Sequence, residues 1–446
     1  MPNQVYYYSN SFCNYIESTI FPFVRFVAIT ILISCLNVYY SHGQSTSDQT
    51  FILKDQIIPF ENEVSEIGNP HFQKLGTFVA DKKVIALGEA THGTREFFLY
   101  KSEFCKYLIK EHGIKTIIFE SDFTGTQQIN DFVVNGNGSA EESIWQMGFS
   151  GTTQEFIDFA KWVKAYNEGK NNLDKVVFYG CDMQYPALAA STIKDYLANR
   201  GVLNAELTKG LEKFYHFIPS LTGDDKAVIR KTVSSLATIT FTDQEPNKRS
   251  LYLQGVRTLK QFVDYMDAQS SIFPAKQSDL RDRFMAENCE WIYNHNKNEK
   301  IVIWAHNEHI KKAEGSDGYF RMGIDLNKIF RDDYYGIFLD FYKGTMRSFD
   351  KNLKRNVPVE LPAGKVGSTG EIFSRLQASA FFLDFKTAEK NSEIQKFLNT
   401  KIPSVFYGAN FDTKRQPYYV SNVLANAYDA VVFFRQTSAA SNINKD

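Results

Sequence analysis

The chain of 446 residues carries 50 Lys+Arg against 51 Asp+Glu, a formal net charge of -1, and 43% hydrophobic residues, with a mean hydropathy of -0.32. That is enough apolar material for a large core, and it excludes a disordered or fibrous chain. The balanced charge and the lack of a Lys/Arg block with interleaved aromatics give no basic footprint, so nucleic acid is not an expected partner. The length fits two or three average domains, or one α/β unit enlarged by an insertion.

After Arg25 the chain is apolar over residues 26–40 and turns polar at Ser41-His-Gly-Gln44. The stretch has the length of a signal-peptide core and falls short of the roughly 20 residues of a membrane span. Ser41 and Gly43 are small residues before a cut at Gln44, so residues 1–43 read as a leader and 44–446 as a single domain. Leu32-Ile-Ser-Cys35 also resembles a bacterial lipobox, in which case the leader ends before Cys35 and a lipid there is the one membrane attachment. Both readings place the protein outside the cytoplasm, periplasmic or lipid-anchored in a bacterial envelope; a buried core helix is the competing reading. Beyond Gly43 remain Cys105, Cys181 and Cys289, an odd number without CxxC. They are expected to be small buried hydrophobes rather than a disulfide framework or a zinc site.

Next come β-branched and aromatic runs at residues 83–88, 116–120, 175–180, 300–305, 335–341, 378–385, 404–407 and 429–434. Most are continuously apolar, as strands covered on both faces should be. Helical patterns at 94–110 and 153–167 separate the first three, giving a βαβαβ order. The fold class expected is α/β, a mainly parallel sheet flanked by helices. From about residue 191 to 295 the periodicity is helical, with Leu211, Phe214, Leu236, Leu253, Val256, Leu259, Phe262 and Trp291 at three- and four-residue steps. This predicts a large helical insertion able to wall or cover a cleft.

Four runs end in ionisable residues: Glu89 in Leu87-Gly-Glu-Ala-Thr-His-Gly93, Glu120 in Ile117-Ile-Phe-Glu120, Asp182 in Tyr179-Gly-Cys-Asp182, and His306 in Trp304-Ala-His-Asn-Glu-His309. In an open parallel sheet, ligands bind outside the carboxyl ends of the strands. His92 sits between glycines in a tight loop with Glu89 three residues before it, an arrangement suited to a general base with a fixed tautomer. On the helix that follows, Lys101 shares a face with Phe97, Cys105 and Leu108. It is either a snorkelling lysine or a cation held over the carboxylates to stabilise a developing oxyanion. Glu120 is either the polar end of a strand or a buried acid. His306 and His309 have the content, but not the usual spacing, of a zinc pair. No GxSxG, GxGxxG or GxxxxGK[ST] follows a strand. Carboxylates around a histidine without an evident nucleophile favour direct hydrolysis by an activated water.

Gly88-Glu-Ala-Thr-His-Gly-Thr-Arg-Glu-Phe97, Phe119-Glu120, Tyr179-Gly-Cys-Asp182, Arg283-Phe-Met-Ala-Glu-Asn288 and Trp304-Ala-His-Asn-Glu-His309 together resemble the successive motifs of the erythromycin esterase family. Order and spacing agree from about residue 50 to Tyr428-Asp-Ala-Val431. The resemblance implies an α/β core with a helical insertion and hydrolysis of the macrolactone ester of erythromycin-type antibiotics, without a metal or other cofactor. His92 would be the general base, Glu89 and Glu120 would place the water and orient the base, and His306 and His309 would contact the substrate or polarise its carbonyl. Lys101, Asp182, Arg283 and Asn307 would bind the small-molecule ester. Lys101 stands where the family commonly has arginine, so a bidentate carboxylate contact is in doubt there. Two other readings remain: a metal-dependent hydrolase built on His306 and His309, and a non-catalytic envelope protein binding haem or another ligand in the same cleft. The 38 Phe and 24 Tyr are mostly core and name no substrate.

Overall fold

The computed structural model describes residues 52–61, 70–148, 152–216, 221–240, 246–269, 274–297, 299–350, 353–408 and 417–443. The leader, its cleavage site and Cys35 lie outside the described residues. No helix among the described residues is long and apolar enough to cross a membrane.

Within the unit Gln56–Asp446, the strands in chain order are β1 (Ile58–Phe60), β2 (Val84–Leu87), β3 (Thr116–Asp122), β4 (Val177–Asp182), β5 (Ile301–Trp304), β6 (Tyr334–Asp350), β7 (Arg355–Leu361), β8 (Ala380–Asp384), β9 (Lys401–Phe406), β10 (Tyr418–Val423) and β11 (Ala430–Thr437). The main sheet runs β1-β8-β11-β6-β2-β5-β3-β4, with β7 on the outer half of β6. From β11 to β4 every pairing is parallel, while β1, β8 and β7 pair antiparallel. The continuous apolar runs are buried from end to end in β2, β5 and β8, as parallel strands between helical layers require.

Two strand expectations change. The run at 404–407 belongs to β9, which leaves the main sheet and pairs only with β10. The run at 335–341 is the inner half of a much longer β6, whose outer half alternates buried and exposed positions because it forms a hairpin with β7.

The helices that matter here are α1 (Pro70–Val79), α2 (Arg95–His112), α3 (Thr126–Asn135), α4 (Ala140–Gln146) and α5 (Gln154–Asn167), which cover the sheet. The insertion then comprises α6 (Pro186–Ala198), α7 (Ala205–Glu212), α8 (Gly223–Thr238), α9 (Pro246–Gln269) and α10 (Pro274–His295). It starts slightly earlier than its periodicity suggests, since Pro186 occupies the first helical turn, where a missing N–H costs nothing. Leu211, Phe214, Leu236, Val256, Leu259 and Phe262 form the insertion's own apolar cluster. Leu253 is 40% exposed and lies outside it. Cys105, Cys181 and Cys289 are buried and unpaired.

Candidate active site

The spatial order β2-β5-β3-β4 brings together the polar residues that the sequence scatters over more than two hundred positions. From neighbouring strand ends come Glu89 and His92 after β2, His306 and His309 after β5, Glu120 from β3, and Asp182 closing β4. Between Phe119 and Asp122 the β3 register slips by one residue against β4. A bulge of this kind re-aims a side chain, and here it leaves Glu120 facing the loop after β5. Gly180 lies opposite, where a Cβ would meet the Asp122 and Ser121 carbonyl oxygens at 2.3 and 2.4 Å.

The loop Gly88–Gly93 is held from the outside. Arg347 on the β6–β7 hairpin donates its backbone N–H to Gly93 O at 2.8 Å, and a Cβ at Gly93 would collide with Arg347 O at 1.9 Å. Glu89 is buried and accepts from His92 Nδ1 at 2.7 Å and from the buried Lys101 ammonium. Burial opposes the Glu89 charge, but Lys101 and His92 outweigh it and hold the carboxyl below its ordinary range. With Nδ1 donating to a carboxylate, His92 keeps its lone pair on Nε2. The ring lines a small cleft with Thr152, Ser348 and Asn356.

His306, buried 5.1 Å from the His92 ring centroid, is in the opposite state. Its Nδ1 accepts from Glu308 N at 3.1 Å, which puts the proton of a neutral ring on Nε2, a buried atom without a protein partner. Burial, with His92 close by, pushes the His306 pKa down to about 3, so the ring is neutral at physiological pH. The Phe406 ring closes the other side at 4.8 Å.

Glu120 ties the remaining groups. It accepts from His306 N at 2.8 Å, from Arg281 at 3.1 Å and from His309 Nε2 at 3.1 Å. Burial alone would raise its pKa; His309, His92 and Arg281 hold it well below the carboxylate range. His309 places Nδ1 2.6 Å from Asp282. Burial pulls the His309 pKa down, but Asp282 and Glu120 overcome it and raise it to about 9, which makes His309 an imidazolium at neutral pH. Arg281 meets Asp182 at 2.7 and 3.0 Å.

All five expected catalytic residues therefore converge, but the four expected substrate-binding residues do not face the cleft. Lys101 lies behind Glu89 with its ammonium 4.4 Å from the Trp304 ring centroid, too enclosed to reach an oxyanion. Asp182 is committed to Arg281 and Met183 N. Asn307 spends its amide on Leu339 O and N at 2.8 and 3.1 Å, a clamp on β6. Arg283 is on the solvent face of α10, stacked on Phe320 at 3.8 Å and 3.7 Å from Asp325. Two residues along a helix are about 200° around it, so Arg281 faces the site and Arg283 cannot. Arg281 and Asp282 were missed by the motif. Their signal was the step Arg281, Met285, Asn288, Ile292, a charged residue on the buried face of a helix, as for Lys101. Asn288 on that face donates to Cys181 O at 2.8 Å.

With both His309 nitrogens turned to carboxylates and His306 Nδ1 capping a turn, the two histidines do not converge on a common point, and no group of three or more metal-binding side chains occurs among the described residues. The arrangement can hold a water against His92 Nε2 and a carbonyl oxygen against His306 Nε2–H.

The family model for erythromycin esterase matches residues 109–437, which includes Glu120, Asp182, Arg281, His306 and His309 and begins after the His92 loop. Erythromycin esterase type II of Escherichia coli is 24% identical over 335 residues, 66% of this chain and 77% of that protein. A solved Bacillus cereus protein superposes with a TM-score of 0.74 at 22% identity, covering 90% of this chain and 99% of the other. A mutant of the erythromycin esterase EreC in its open conformation gives a TM-score of 0.59 at 17% identity, covering 84% and 95%. The extent of the family match, nearly three quarters of the chain, shows that this protein belongs to the erythromycin esterase family.

Proposed function

We propose that the protein hydrolyses a carboxylic ester, with the macrolactone of erythromycin-type macrolides as the leading substrate class, in the cell envelope after export. Family membership points to ester hydrolysis, and the observation that carries the mechanism is the Glu89–His92 bond at 2.7 Å beside the unpartnered His306 Nε2. His92 Nε2 takes a proton from water as the water oxygen attacks the ester carbonyl. The oxygen of the tetrahedral intermediate accepts from His306 Nε2–H. Collapse breaks the acyl–oxygen bond, and the leaving alkoxide recovers the proton from His92, which leaves an acid and an alcohol. Glu89, kept ionised by Lys101, steadies the transient His92 imidazolium.

The test is mass spectrometry of erythromycin and other macrolides, with simple aryl and alkyl esters alongside, after incubation with residues 44–446. A product one water heavier, lost in His92→Ala and insensitive to a chelator, is the expected result. Turnover that survives His92→Ala would remove the assigned base. Hydrolysis of simple esters but of no macrolide would keep the chemistry and discard antibiotic inactivation. Chelator-sensitive turnover would favour the metal-dependent reading.

A further inference from the structure

A second cavity lies away from the catalytic cluster, between the insertion and the sheet. Its volume is about 230 Å³; Phe123 and Thr124 from the loop after β3, Ile193 of α6, and Leu251, Tyr252 and Gly255 of α9 form its inner walls, and it opens to solvent past the exposed Thr192 and Lys248. An apolar protein cavity of about 150 Å³ takes benzene, so this one has room for a substituted ring. The Tyr252 hydroxyl donates to Leu236 O at 3.1 Å and its ring stacks on Tyr196 at 4.7 Å, so only the remaining ring surface faces the cavity.

Two details point to a ligand rather than to loose packing. Thr124 is 6% exposed, and its Oγ1 has no hydrogen-bond partner, although a buried hydroxyl left unpaired costs about 1–3 kcal/mol. That oxygen is 4.0 Å from where a Cβ at Gly255 would sit, a position whose other near neighbours are Ile193 atoms at 3.8 Å. Gly255 is in the middle of a 24-residue helix, where alanine would be favoured by up to about 1 kcal/mol. What the glycine provides is room beside the hydroxyl.

The cavity shares no lining residue with the cleft around His92, although Phe123, whose N–H donates to Asp182 O at 2.9 Å, belongs to its wall. Further along α9, Tyr265 receives a hydrogen bond from Gln184, two residues beyond Asp182, at 3.2 Å. Gly255 is ten residues earlier, about 15 Å along the helix axis.

We propose that this cavity is a binding site for a small aromatic molecule with one hydroxyl, of the size of a phenol, whose oxygen pairs with Thr124 Oγ1. Because its walls come from both the insertion and the core, an occupant fastens one to the other.

The test is a ¹⁹F NMR titration of the full chain with 4-fluorophenol, and with fluorobenzene as a probe without the hydroxyl. Saturable binding is expected, weakened at least tenfold by Gly255→Leu, which fills the cavity, and unchanged in His92→Ala. Thr124→Val, of the same shape, should weaken 4-fluorophenol several-fold and leave fluorobenzene as it was. Absence of saturable binding, equal loss of both probes in Thr124→Val, or loss in His92→Ala with retention in Gly255→Leu would each overturn the assignment. The last of these would put the probe in the catalytic cleft.

Discussion

The imidazoles of His92 and His306 have their centroids 5.1 Å apart and present opposite faces of the same chemistry to the cleft. His92 donates through Nδ1 to Glu89 and offers a lone pair; His306 accepts at Nδ1 from the Glu308 backbone and offers a proton. The partner of the inner nitrogen sets each tautomer. If His306 supplies the donor for the oxyanion, His306→Ala lowers kcat by about a hundred- to a thousand-fold with little change in KM. Steady-state kinetics on any ester the enzyme turns over checks this, and a change confined to KM would assign His306 to ground-state binding instead.

Lys101→Met removes the charge that balances a fully enclosed carboxylate. Breaking a buried pair in this way costs about 3–5 kcal/mol, and Glu89 then rises toward neutrality. Urea unfolding should show the loss of stability. The acid limb of the pH–rate profile should move to higher pH, because a protonated Glu89 no longer steadies His92. A variant with wild-type stability would mean that Lys101 and Glu89 do not share charge as described.

The two arginines of α10 give a paired test. Arg281→Ala leaves Asp182 and Glu120 without their shared cation and should depress kcat/KM by about a hundred-fold or more, through a displaced Glu120 and the His306 backbone it holds. Arg283→Ala, at an exposed ion pair, should change stability by less than about 1 kcal/mol and leave turnover intact. Equal effects of the two would contradict the helical phase assigned here.

Stability should depend on alkaline pH through His309. Its pKa is raised above the ordinary 6.5 to about 9. The stabilisation is therefore complete below about pH 6.5 and is lost as the pH rises through 9. Denaturation midpoints measured across that window should fall in the wild type and fall less in His309→Gln. A flat wild-type profile would show that His309 is not held as an imidazolium.

The sheet was legible because buried parallel strands write themselves as apolar runs, and the strand-end residues Glu89, Glu120, Asp182 and His306 followed from the rule that places ligands at that edge. The His92 loop was legible from its glycines. Longer-range phase was not. The step Arg281, Met285, Asn288, Ile292 separates Arg281 from Arg283 only weakly, because polar Asn288 interrupts the apolar stripe until its bond to Cys181 O fixes the register of α10. Nor does the chain announce that Asn307 will be used up by Leu339, thirty-two residues on. The short edge strand β1 and the strand β10 carry too few residues, in too mixed a pattern, to stand out from loops.

The helix that closes the insertion also delivers Arg281 and Asp282 to the catalytic cluster, and this limits how the molecule can be re-engineered. Exchanging the whole insertion for that of a relative would carry away the cation between Glu120 and Asp182 and the carboxylate behind His309. A chimera that exchanges the insertion should take α6 to α9 from the donor and keep α10 from the host. The boundary between the part of the insertion that builds the catalytic cluster and the part that packs on itself therefore runs between its last two helices.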